Sequence, residues 1–132
     1  MLSLNESMVK GLEVKRIPRS FGYATRGIWH VIRTEQNLRI HALAAAIVIV
    51  AGIVFGITAV EFAIILLATG LVIVTEVLNT IVEDFLDILH PTQHPTIRRI
   101  KDALAGAVLV TAIVAVGVGA LIFLPYLFAA ID

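Results

Sequence analysis

The sequence has 132 residues, of which 59% are hydrophobic and only 15% are charged, and it contains no cysteine. Soluble domains carry about 45–50% apolar and about 25% charged residues, so this composition excludes a water-soluble globule and predicts a membrane protein. The lack of cysteine excludes disulfide frameworks, thiol nucleophiles and zinc–thiolate sites. Ten basic and ten acidic residues cancel, so the net charge gives no reason to expect a nucleic-acid partner.

The N-terminal part of the chain is polar. We expect residues 1–18 to form a flexible cytoplasmic segment and residues 19–36 to form an amphipathic helix that begins after Pro18. The apolar residues of that helix share one face, and its cationic residues lie on the opposite face, which is typical of a helix in the lipid headgroup layer. Such a helix either serves only as an anchor or also walls a site at the lipid–water boundary, and its residues do not decide between the two.

Three stretches are long and apolar enough to cross a membrane, and we predict spans at residues 37–57, 60–89 and 97–128. Residues 42–60 and 103–131 contain no charged residue. The middle span differs, because its apolar run over residues 62–75 is followed by polar residues at helical spacing. The chain is therefore predicted to be all-α, as one membrane domain over residues 1–132.

The basic residues predict the orientation of these spans. All ten lie in two blocks, one ending at Arg39 and the other running from Arg98 to Lys101. With three spans, both blocks fall on the same side of the membrane, which the positive-inside rule makes cytoplasmic. We therefore expect a cytoplasmic N-terminus and an external C-terminus in a bacterial cell membrane.

A polar stripe runs along one face of the second half of the middle span, and Asp84 lies beside it. Its members are Glu76, Asn79, Thr80, Glu83 and Asp87. A charged group near the bilayer centre costs about 2.5–3.5 kcal/mol on insertion scales, so such residues are by default expected to have a function.

Three functions fit this stripe. Carboxylate and amide oxygens suit Mg²⁺, a further carboxylate could accept the proton of an alcohol, and the cations at Arg98, Arg99 and Lys101 could neutralise phosphates. Those are the parts of a phosphoryl transfer from a nucleotide to a lipid hydroxyl. A path for protons or cations and a structural oligomer interface fit equally well. Three helices are too few to enclose such a stripe, which predicts a homo-oligomer.

The stripe and the start of the third span resemble the prokaryotic integral-membrane diacylglycerol kinase family, which includes the undecaprenol kinases of Gram-positive bacteria. The motifs are E-x-x-N-[ST]-x-x-E from Glu76 and K-D-x-x-A-[GA]-A from Lys101, with Y-x-x-x-G-x-W from Tyr23 and E-x-N-x-R-x-H from Glu35 upstream. The resemblance extends from about Arg16 to Leu127. It implies a homotrimeric lipid kinase that uses ATP and Mg²⁺ to phosphorylate diacylglycerol or undecaprenol.

The same resemblance implies roles for individual residues. Glu76 is the expected general base, and Asn79 is an essential amide beside the reacting groups. Glu35 and Glu83 are expected to hold the divalent metal on the ATP phosphates. The nucleotide is expected to contact Glu35 and Glu83 and also Arg16, Tyr23, Thr92, Gln93, His94, Lys101 and Asp102, with Lys101 on the phosphates.

Overall fold

A computed structural model describes the backbone of residues 2–92 and 94–131, and the side chains of residues 17–92 and 94–131. The described chain forms four α-helices: α1 (Leu2–Thr34), α2 (Gln36–Phe55), α3 (Ala59–Leu89) and α4 (Pro95–Ile131). The expected all-α class is confirmed. The helices divide into two compact units, with α1 in one and α2 to α4 in the other. The second is called the three-helix unit below.

Helix α1 begins at Leu2, earlier than the start expected near residue 19, and Pro18 lies inside it. A proline in a helix interior removes one hydrogen bond but does not prevent helix on both sides. Along the described side chains, the guanidinium of Arg26 lies 5.0 Å from the ring centroid of Tyr23, and that of Arg33 lies 4.8 Å from the ring of Trp29. Its location at a membrane surface remains a prediction.

A tight turn joins α2 to α3. Gly56 ends α2 with φ 64°, a left-handed conformation that glycine adopts without strain, and its N–H bonds back to Gly52 and Ile53. Thr58 then starts α3 with a capping box, in which its hydroxyl accepts from the N–H of Glu61 and the Glu61 carboxylate accepts from the N–H of Thr58 at 2.8 Å. Because the turn is so short, α2 and α3 pack as antiparallel neighbours.

Helix α3 packs against both other helices of the unit. Its buried residues recur at helical spacing and are Ile65, Val72, Glu76, Thr80 and Leu86. At the α2–α3 turn, a Cβ added to Gly52 would lie 3.1 Å from the Phe62 ring, so the missing side chain permits close packing. The Phe55 and Phe123 rings meet edge to face with centroids 6.1 Å apart.

Three of the helices have the length and hydropathy of membrane spans, as the sequence predicts. Helix α2 has 20 residues, or about 30 Å at 1.5 Å per residue, which matches the hydrocarbon core of a bilayer. Helix α3 has 31 residues and is about 46 Å long, so it extends beyond that core. Most of the large apolar side chains on all three helices are exposed in the single chain. Lipid or further subunits are needed to cover them.

Candidate active site at the loop end of the three-helix unit

The three-helix unit has two distinct ends. We call the end with the α2–α3 turn, residues 52–62 and the adjoining part of α4, the turn end. The end with the α3–α4 loop, residues 87–98 and the start of α2, is the loop end. Lys101 pairs with Asp87 at the loop end and Tyr126 with Glu61 at the turn end, so these two contacts show the register of α4 along α3.

Glu76 is the most deeply buried charged residue of the described chain, with 2% of its surface exposed. Thr80, one turn later, is 5% exposed, and its hydroxyl donates to the backbone carbonyl of Glu76 at 3.1 Å. A carboxylate buried within a membrane-spanning helix is energetically costly, and that cost is characteristic of a functional group rather than of a packing residue.

Asn79 and Glu83 form a connected pair on the next turn of the stripe. The Asn79 amide Nδ2 donates to the Glu83 carboxylate at 3.2 Å, and both side chains are half-buried. The Asn79 carbonyl oxygen Oδ1 is buried and accepts no hydrogen bond within the described chain. Buried polar atoms are normally paired, so this oxygen is available to a ligand.

The last residue of the stripe, Asp87, bonds to α4 rather than to α3. Its Oδ1 accepts a hydrogen bond from the Lys101 ammonium at 2.5 Å. Asp102, the expected companion of Lys101, is exposed and has no salt bridge within the described chain. The structure therefore brings Lys101 to the carboxylate face of α3 but leaves Asp102 outside the contact.

Glu35 is the N-cap of α2, in an extended conformation, and its side chain makes no capping hydrogen bond. Because Gly52 packs against Phe62 across the turn, the antiparallel register puts Glu35 about level with Asn79, at the same 1.5 Å rise in both helices. Its carboxylate is half-buried. Glu35 and the Asn79–Glu83 pair therefore lie at the same end of the unit.

A cleft of about 580 Å³ opens at the α3–α4 loop, and it is lined by Asp87, His90, Pro91, Thr92, His94, Pro95, Ile97, Arg98 and Lys101. His94 is structural as well as exposed, since its Nδ1 accepts from the N–H of Thr96 at the start of α4. The two loop histidine rings are 6.4 Å apart. No group of three histidine or carboxylate residues that could hold a metal occurs in the described part of the chain.

The depth of the stripe follows from helix geometry. Glu61 and Tyr126 lie at the turn end, and Glu76 is fifteen residues further along α3, or about 22 Å at 1.5 Å per residue. A hydrocarbon core is about 30 Å thick. If the turn end marks one interface, Glu76 lies inside the other interface, and Glu83 and Asp87 reach the headgroup layer. Apolar and aqueous substrates could meet at this depth.

Three of the expected nucleotide residues are not described as part of this unit. The side chain of Arg16 and the whole of Gln93 lie outside the described residues. Tyr23 belongs to the α1 unit, where it is exposed and pairs with Arg26.

Sequence reasoning missed two contacts. The Asp87–Lys101 pair could have been suspected from charge alone, because the two oppositely charged residues lie on either side of the proline-containing loop. The Tyr126 hydroxyl donates to the Glu61 carboxylate at 2.8 Å, across 65 residues of sequence. No local pattern indicates that contact, because it depends on where α4 ends relative to α3.

Comparison with known proteins identifies the family. The family model for prokaryotic diacylglycerol kinase matches residues 22–123. The chain belongs to the prokaryotic diacylglycerol kinase family. It is therefore a lipid kinase and a multi-pass membrane protein. Family membership favours phosphoryl transfer over the conduction and purely structural functions that the polar stripe also allowed.

The chain is similar to two curated proteins that are named as lipid kinases. It is 42% identical over 115 residues to the undecaprenol kinase of Bacillus subtilis, covering 87% of this chain and 94% of that protein. It is 37% identical over 107 residues to the diacylglycerol kinase of Synechocystis sp., covering 80% of this chain and 61% of that protein.

Proposed function

We propose that this kinase transfers the γ-phosphate of ATP to the hydroxyl of a membrane lipid alcohol, with Glu76 as the general base. The observation that carries the proposal is the burial of Glu76, a carboxylate inside a membrane-spanning helix. A base at that depth is accessible to the hydroxyl of a membrane lipid. A water-soluble alcohol would instead have to leave water to reach it. The Asn79–Glu83 pair and Lys101 lie further along the same face, towards the aqueous side.

In this mechanism the Glu76 carboxylate accepts the proton of the lipid hydroxyl as the lipid oxygen bonds to the γ-phosphorus. The bond from that phosphorus to the oxygen bridging to the β-phosphate breaks, and ADP leaves. Glu76 then releases its proton to solvent. A correctly placed general base contributes about 10²–10⁴-fold to the rate. The rest of the catalysis is positioning and charge neutralisation, as in other phosphoryl transfers.

The donor atoms at the loop end fit a magnesium ion that arrives with ATP. Glu83 supplies a carboxylate and Asn79 Oδ1 is a buried carbonyl oxygen without a partner. Mg²⁺ prefers oxygen ligands and usually takes only one or two carboxylates besides phosphates and water. Glu83 and Glu35 would hold it, and the ion would neutralise charge on the transferring phosphate.

The nucleotide is proposed to lie in the cleft beside the α3–α4 loop. Lys101 would contact the phosphates, and Thr92, Gln93 and His94 would lie near the base. Arg16, Tyr23 and Asp102 complete the proposed contacts, as the family resemblance implies. The exposed Thr92 and His94 and the half-buried Lys101 all line that cleft, which supports this assignment.

Undecaprenol is the favoured acceptor. The relative that this chain covers over 94% of its length is named undecaprenol kinase. The relative named diacylglycerol kinase is covered over 61% of its length. Both acceptors present one hydroxyl at the headgroup boundary, so the same catalytic groups would serve either.

The assembly is proposed to be a homotrimer in the bacterial cytoplasmic membrane, with the N-terminus and the α3–α4 loop on the cytoplasmic side. The large exposed apolar surface of the three-helix unit and the family resemblance support further subunits around it. Native mass spectrometry of the detergent-solubilised protein tests the trimer, and labelling of single cysteines introduced at Ser20 and Asp132 tests the orientation.

Activity decides the proposed function. Purified protein in mixed micelles is supplied with Mg²⁺ and radiolabelled ATP, together with either undecaprenol or diacylglycerol. We expect labelled phosphate on the lipid, with the larger kcat/KM for undecaprenol. Folded protein that labels neither alcohol would contradict the proposal, and a preference for diacylglycerol would overturn the choice of acceptor alone.

A further inference from the structure

We propose that Asp87 is a positioning residue that holds the Lys101 ammonium ready for the nucleotide phosphates. This inference rests on the proposed role of Lys101 and adds a residue to which the family resemblance gave no role. The Lys101 Nζ donates to Asp87 Oδ1 at 2.5 Å, and this is the salt bridge observed among the described side chains.

The contact places the ammonium on a particular face of α3. Asp87 follows Glu83 by four residues, so the two carboxylates lie one helical turn apart on the same face. Lys101 reaches that face from α4, across a connection of 14 residues. The bond therefore brings a cation to within about one helical turn of Glu83, the carboxylate proposed to hold Mg²⁺.

Without Asp87, no described side chain would hold the Lys101 ammonium at this face of α3. A lysine side chain has a flexible four-carbon stem and a strongly hydrated ammonium, and near a membrane boundary it extends towards water and headgroups. Asp102, its neighbour in sequence, is exposed and does not bond to it. Asp87 is thus the group that keeps the ammonium at the mouth of the cleft, which both side chains line.

Stability does not explain the pair. The Asp87 side chain is 63% exposed and that of Lys101 is 30% exposed. Salt bridges with this much exposure contribute little to folding, because water screens the charges and the side chains lose conformational freedom. The loop end is also held by other means, since Pro95 begins α4 and the His90 N–H bonds back to Leu86. The benefit of the pair is therefore expected in nucleotide binding.

Asp84 provides a matched control. It lies on the same helix and is also an exposed aspartate, but it points away from the stripe and has no salt bridge within the described chain. Replacing Asp84 or Asp87 by asparagine makes the same chemical change. Only the change at Asp87 frees Lys101.

The experiment compares Asp87→Asn, Asp87→Glu, Asp84→Asn and Lys101→Met, each alone, with the double variant Asp87→Asn/Lys101→Met. Steady-state kinetics are measured with MgATP and with lipid varied separately, and binding of a non-hydrolysable ATP analogue with Mg²⁺ is measured by calorimetry. Ordering one long side chain in advance corresponds to about a twofold to tenfold change in affinity. We expect Asp87→Asn to raise KM for MgATP and Kd for the analogue by that factor, with KM for lipid and Tm unchanged.

We also expect Asp87→Glu to recover part of the affinity, Asp84→Asn to match the wild type, and the double variant to bind no more weakly than Lys101→Met. An unchanged KM for MgATP in Asp87→Asn would overturn the proposal, as would an equal loss from Asp87→Asn in the Lys101→Met background. The binding measurement needs no lipid. Wild-type protein that binds the analogue but phosphorylates neither alcohol therefore overturns the proposed function and leaves the role of Asp87 to be decided by the binding series.

Discussion

The two ends of the three-helix unit differ in whether their polar side-chain atoms have hydrogen-bond partners. At the turn end, Thr58, Glu61 and Tyr126 satisfy one another in a closed set of hydrogen bonds, and glycines at 52 and 56 let the chain reverse tightly. On the stripe that leads from the middle of α3 to the loop end, Glu76 is buried, and Asn79 Oδ1 is buried with no hydrogen-bond partner in the described chain.

The difference teaches where this small protein places its chemistry. A membrane offers no water to satisfy stray polar groups, so an unsatisfied group within it is expensive. The turn end avoids that cost, because the Glu61 carboxylate accepts hydrogen bonds from two hydroxyls and a backbone N–H. The stripe leaves Asn79 Oδ1 without a partner in the described chain, and bound substrate or metal would satisfy it. Substitutions should therefore impair activity at the loop end and stability at the turn end.

The largest effect should come from Glu76→Gln. The amide has nearly the same shape but cannot accept the lipid proton, so we expect kcat to fall by about 10²–10⁴-fold. The midpoint of thermal unfolding in detergent should be unchanged or slightly higher, because a charge buried within the membrane-spanning helix is removed. Phosphate transfer to lipid is measured beside circular dichroism. Activity within a few-fold of wild type would remove Glu76 from the mechanism.

A smaller effect on activity, seen as weaker use of Mg²⁺, should follow Glu83→Gln. This change removes one carboxylate beside the free carbonyl oxygen of Asn79, so the Mg²⁺ concentration for half-maximal rate should rise by about 10–100-fold, with less change in KM for lipid. Titration of activity with Mg²⁺ at saturating ATP measures it. An unchanged Mg²⁺ dependence would show that Glu83 does not hold the ion.

At the turn end, Gly56→Val should destabilise the protein without altering its chemistry. Gly56 has φ 64°, and a left-handed backbone costs a residue with a side chain about 1–2 kcal/mol, more for a β-branched one. We expect a lower unfolding midpoint in a detergent denaturation series and a normal KM for MgATP. Gly117→Val is the control, because a Cβ there meets nothing within 4 Å. Equal unfolding midpoints for Gly56→Val and Gly117→Val would show that a side chain at position 56 does not strain the left-handed backbone.

The smallest effect should come from Tyr126→Phe. It removes one hydroxyl and leaves Glu61 with its bonds to Thr58, so only a small loss of stability is expected. Activity per folded molecule should stay the same. Comparison of the unfolding midpoints of Tyr126→Phe and the wild type measures the contribution. A change in kcat with no change in stability would show that the two ends are coupled.

Much of the fold could be predicted from local pattern. The three apolar helices lie within a few residues of their expected bounds, because a span of about 20 apolar residues and a glycine or proline at its end are local signals. The start of α1 was not predicted well, since Pro18 suggested a boundary and the helix continues through it. Burial of Glu76 and Thr80 and exposure of Asp84 agree with the predicted stripe.

The sequence by itself determined the class of protein, a polytopic helical membrane protein. It also showed that several of the few charged residues form a carboxylate stripe on one helix face. It also determined the family, because carboxylates at that spacing inside a membrane helix are rare. Only the tertiary structure decided which charges meet. Lys101 bonds to Asp87 rather than to its neighbour Asp102, and Glu61 bonds to Tyr126, since both contacts depend on how far α4 is displaced along α3. That displacement is set by side-chain packing between helices and has no local signal in the sequence.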